Sequence, residues 1–159
     1  MSRSTEFSGS AIAILEADHR ALLHRLGQLV RLRHPLARQQ ERKALSKALE
    51  HHIAVEAELF FPAYLDATED SLTHFVASVG HENILAELRD ASGESTAGAG
   101  FISRVRTLKK AFANHVADLE GVGGMFELAR RSCMNQEQLA QLIQSRLSAA
   151  TLGSCLTPL

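Results

Sequence analysis

The sequence predicts an all-α protein: an up-down-up-down four-helix bundle followed by a short fifth helix at the C-terminus. Three observations carry that prediction. Apolar residues recur at steps of three and four along four long stretches. Prolines and one glycine- and serine-rich loop separate the stretches by short connections. No stretch alternates with the two-residue period of a half-buried strand.

The first helix is expected over residues 10–33, with Ser10 as its cap and Pro35 as its stop. Its seam is Ile12, Leu15, His19, Leu22, Leu26 and Leu29. The second is expected over 36–65, with Pro62 kinking or ending it. There the seam is Leu45, Leu49, His52, Glu56 and Leu59. The third runs over 70–91 from an Asp70 cap, with Ala77, His81, Ile84 or Leu85, and Leu88 inward. The loop SGESTAGAG, residues 92–100, comes after it. The fourth is expected over 101–131, weakened in its middle by Gly121, Gly123 and Gly124. Val105, Leu108, Phe112, His115, Leu119, Val122 and Phe126 form its seam. A fifth, shorter helix fits 135–149, and the last ten residues read as a loose tail. This divides the chain into a bundle, 10–131, and a C-terminal helix and tail, 132–159.

The 159 residues suit one domain with its own core. Lys+Arg number 17 and Asp+Glu 18, so no basic excess points to nucleic acid. No apolar run has the length of a membrane span, and the polar first ten residues do not resemble a secretory leader. Cys133 and Cys155 are too few for a disulfide framework and read as reduced thiols. The expected location is therefore the cytoplasm.

Eight histidines stand out, and each of the four seams carries one: His19, His52, His81 and His115. The second seam adds Glu56. A carboxylate facing an apolar core is very costly unless a partner offsets its charge. A metal ion does so, and it also accounts for four imidazoles turned toward one interior. His52 and Glu56 stand four residues apart, on one helix face. In an antiparallel bundle the four histidines fall at compatible depths. Imidazole and carboxylate ligands suit iron, manganese or zinc, and the lack of a Cys ligand argues against a closed structural zinc site. His24, His34, His51 and His74 fall outside this set and read as surface, rim or turn residues.

These residues resemble the hemerythrin-like, or HHE cation-binding, family. The resemblance lies in the Asp18-His19 pair of LEADHRALLHRL, in His52-Ile-Ala-Val-Glu56 leading into AELFFP, in Gly80-His81-Glu82, and in His115 of FANHVADLE. It covers residues 12–128 and implies a non-heme, oxo-bridged di-iron centre in a four-helix bundle. The fourth motif departs from the family pattern. Leu119 stands where a carboxylate is expected, with Asp118 before it and Glu120 after it. Glu120 matches the register of the oxygen-carrying hemerythrins, with Glu in place of Asp, and is the expected second carboxylate; Asp118 is the alternative. The carriers' second histidine on helix three is missing, since Ala77 and Leu85 occupy those places. The resemblance thus implies an open coordination position, suited to binding or sensing dioxygen, nitric oxide or peroxide. Two other readings stand beside it: a di-iron enzyme for peroxide or nitric oxide detoxification or iron donation, and a metal-free helical interaction module.

Overall fold

The structure, a computed structural model, describes residues 9–153. The first helix, α1 (Ala11–Arg31), opens on Ser10, whose hydroxyl accepts the Ala13 amide at 3.1 Å. Next comes α2 (Pro35–Val55), which begins on Pro35, where a missing N–H breaks no helical bond. It continues through a π-helical turn (Glu56–Phe60) into α3 (Phe61–Thr68). The expected effect of Pro62 is absorbed in that turn. The Phe61 amide reaches back five residues to the Glu56 carbonyl, widening the helix just before the proline. The extra residue also rotates the next turn of helix. Phe60 and Tyr64 are buried after Glu56, while Leu59, expected in the seam, is only partly buried.

Helix α4 (Ser71–Gly93) is capped by Asp70, which accepts the Thr73 amide at 3.1 Å and the Tyr64 hydroxyl at 2.8 Å. The fourth stretch is not one helix. It divides into α5 (Ala99–Glu120) and α6 (Met125–Arg131) at the glycine turn. Gly123 has φ +71°, and a Cβ on Gly124 would lie 2.6 Å from the Asp118 carbonyl oxygen. Two helices, α1 and α4, alternate in direction with α2 and α5, and each packs on its neighbours around the ring. Among the described residues there is no strand.

The last helix, α7 (Gln136–Gly153), lies against α1 and α2. It buries Leu139, Ala140 and Ile143 in the same core as α1 and α3. Arg146 of α7 pairs with Glu58 at 2.6 Å, and the His51 ring donates to the Arg146 carbonyl at 3.0 Å. Residues 150–153 of the expected tail belong to α7, and 154–159, Cys155 included, lie outside the described residues. Among the described residues no helix is long and apolar enough to cross a membrane.

The seam residues pack as two apolar clusters. One holds Leu15, Val55, Phe60, Phe61, Ala77 and Leu119; the other holds Leu22, Leu49, Ile84 and Phe112. Along α1, α2, α4 and α5 each seam histidine falls where the chain passes from one cluster to the other.

Val122 is a correction. Expected inward, it is fully exposed, because α5 ends at Glu120 and the turn points it outward. Phe126 returns to the core in α6. Val122→Ser should therefore change stability by no more than about 0.5 kcal/mol. Phe126→Ala should cost about 3–5 kcal/mol. Chemical denaturation of the two variants checks the contrast.

Candidate metal centre

Five polar residues of the four seams are buried: His19, His52 and Glu56 at 0% exposure, His115 at 1% and His81 at 5%. Glu56 is at their centre. Its position comes from the local chain: it is one turn beyond His52 and opens the π turn that the Phe61 amide closes. Its Oε1 faces His19 Nε2 at 3.0 Å and His52 Nε2 at 3.4 Å. Its Oε2 faces His81 Nε2 at 2.8 Å and His115 Nε2 at 3.0 Å. Ligand atoms of His19, Glu56 and His115 all lie within 4.8 Å of one another.

The outer nitrogens are arranged differently. His19 Nδ1 donates to Glu120 Oε1 at 2.7 Å, and His52 Nδ1 donates to Asp18 Oδ2 at 2.7 Å. Each carboxylate accepts only, so each Nδ1 carries the proton. In a neutral ring Nε2 then presents a lone pair to Glu56, where two acceptors repel. Only a cation between them, a proton or a metal ion, makes the arrangement favourable. His52 Nε2 is buried with no hydrogen-bond partner, as a metal-ligating atom would be. The residues therefore fit a metal ion.

Aromatic rings wall the centre. Phe126 stacks on His19 at 5.8 Å, Phe61 stacks on His81 at 4.8 Å, and Phe112 meets His52 edge-on at 5.7 Å. Gly80 brings α4 close to α5: a Cβ there would lie 2.7 Å from His115 Nδ1.

Charge is set by the geometry. Burial disfavours the His52 cation, but Glu56 and Asp18 outweigh it and raise its pKa to about 9. Burial also works against the Glu56 anion, yet His52, with hydrogen bonds from His115 and His19, holds its pKa well below the usual carboxylate range. Burial lowers the His115 pKa, and Glu56 offsets this only in part. In the metal-free protein His52 is thus protonated at pH 7. A metal must displace that proton from His52, so binding should release protons and tighten as pH rises toward 9. Titration calorimetry in buffers of different ionisation enthalpy measures the release.

The sequence places His19, His52, Glu56, His81 and His115 in one layer, and the structure brings them together. Glu120 stands apart from the other expected residues. It is not among the groups around Glu56: Gly121 ends α5, and the side chain, 29% exposed, reaches the outer nitrogen of His19. Asp118, the alternative, is exposed in a groove between α4 and α5, and Leu119 is buried in the apolar core. His24 and His34 are exposed, and His74 packs on Phe61 from the rim. Sequence reasoning gave no role to Asp18 or Gly80. Asp18 meets a residue 34 positions away, so no local spacing marks the pair.

Neither a curated protein nor a solved structure shows a significant match. The Hemerythrin HHE cation binding domain family matches residues 10–126, the whole of α1 to α5 and the turn into α6. With its helical bundle and buried His/Glu layer, the chain belongs to the hemerythrin HHE cation-binding family.

Proposed function

We propose that this protein holds two iron ions at the His19, His52, Glu56, His81 and His115 cluster and binds or senses a small ligand there: dioxygen, nitric oxide or peroxide. The observation that carries the reading is the convergence of four imidazole Nε2 atoms on one buried carboxylate, with two rings already fixed at Nδ1. Bound iron supplies redox activity and a coordination position for the ligand. The chain contributes the rest. Glu56 offers one oxygen to each pair of histidines, Asp18 and Glu120 hold two rings in place, and the phenylalanines keep water out. Because three of the five side chains are fully buried, a diatomic or peroxide suits the centre better than a bulky substrate. Iron is favoured over manganese or zinc by the family's chemistry. Cys133, exposed and free, suits a reducing compartment such as the cytoplasm.

The test is an anaerobic titration of iron-loaded protein with nitric oxide and with dioxygen, monitored by visible absorption. Saturable change that reverses on purging supports binding. Peroxide loss far beyond the iron present would move the reading to an enzyme. No spectral response from loaded protein would contradict both.

A further inference from the structure

The two halves of the His/Glu layer are built differently. On the Glu56 Oε1 side are His19 and His52, and each donates its outer N–H to a carboxylate 2.7 Å away, Glu120 and Asp18 respectively. Among the described residues neither carboxylate is paired with a lysine or arginine. On the Oε2 side are His81 and His115. His115 Nδ1 is buried, has no hydrogen-bond partner and is pressed against Gly80. His81 has Phe61 stacked on its face, and Glu56 is its only anionic partner among the described residues.

We infer that the centre fills unevenly: the His19/His52 half takes its metal ion first and more tightly, and Asp18 and Glu120 are the positioning residues that make it so. The inference rests on the proposed metal centre. Its physical basis is twofold. A divalent cation at the His19/His52 half sits near three carboxylates, against one at the other half, and this attraction is little screened in a buried site. Both rings there are also held in the tautomer and orientation that a ligand needs. At the other half, a metal on His115 Nε2 leaves the Nδ1–H buried without an acceptor, a cost the first half does not carry.

The test is a titration of metal-free full-length protein with cobalt(II) at fixed pH and salt, read by calorimetry and by the visible bands of bound cobalt. The expected result is two steps at least about tenfold apart in affinity. Asp18→Asn and Glu120→Gln should each weaken the first step about 10–100-fold and leave the second within about threefold. Asp18→Glu, which keeps the charge, should recover much of the first step. His52→Ala should remove the tight step, and His81→Ala only the weak one. Two equal steps would overturn the inference and leave the metal centre standing. Equal weakening of both steps in Asp18→Asn would also overturn it, as would loss of the tight step in His81→Ala. No uptake of cobalt at all would overturn the metal centre itself.

Discussion

Glu56→Ala is expected to strip the centre of metal and, in the metal-free protein, to cost about 3–5 kcal/mol of stability. Every inner nitrogen of the layer faces this one carboxylate, on one oxygen or the other. Leu119 supplies no ligand, and Glu120 is turned to the outside of His19, so no second carboxylate of the layer takes over. Removing Glu56 leaves His52, raised to about 9 partly by that anion, as a buried charge missing one of its two partners. The comparison is Glu58→Ala, two residues along. Glu58 is exposed and pairs with Arg146, and its loss should cost no more than about 1 kcal/mol and leave metal content unchanged. Urea denaturation of both variants, with and without metal, separates the two effects.

Gly80→Ala should disturb the His/Glu layer directly, although it adds a single methyl. The added carbon would lie 2.7 Å from His115 Nδ1, closer than carbon and nitrogen pack. Either α4 moves away from α5 or the His115 ring moves away from Glu56. Overpacking of this kind costs about 1–3 kcal/mol. It also displaces a metal-binding nitrogen, so metal affinity should fall more than stability alone explains. Gly93→Ala is the control. It lies in the last turn of the same helix with nothing within 4 Å of the added carbon, and should be neutral or slightly stabilising. Thermal melts of the metal-free variants and metal content after dialysis give the two readouts.

Much of this centre was legible in the sequence, because a bundle turns spacing into depth. A histidine in each of four apolar seams has one place to go, the interior, and antiparallel helices bring equal depths together. The same logic identified the core residues of α1 from Ile12 to Leu29 without error. What it missed involves departures from a regular helix. Periodicity carried α5 straight through Gly121 and so buried Val122; the chain instead stops the helix and restarts it at Met125. Pro62 reads as a kink or an end of the second helix, and the structure accommodates it with a π turn one step earlier, moving burial from Leu59 to Phe60. Asp18 and Gly80 stand in the motifs but carried no role there, for a third reason. Both act on a histidine of another helix, and only the packed bundle shows which one.

The most direct test of the central claim is metal content per chain, by elemental analysis of untagged protein from iron-supplemented cells, alongside Glu56→Ala. About two irons per chain, falling to near zero in the variant, is the expected result. Native protein with almost no metal after gentle purification, or the same content in both proteins, would contradict it.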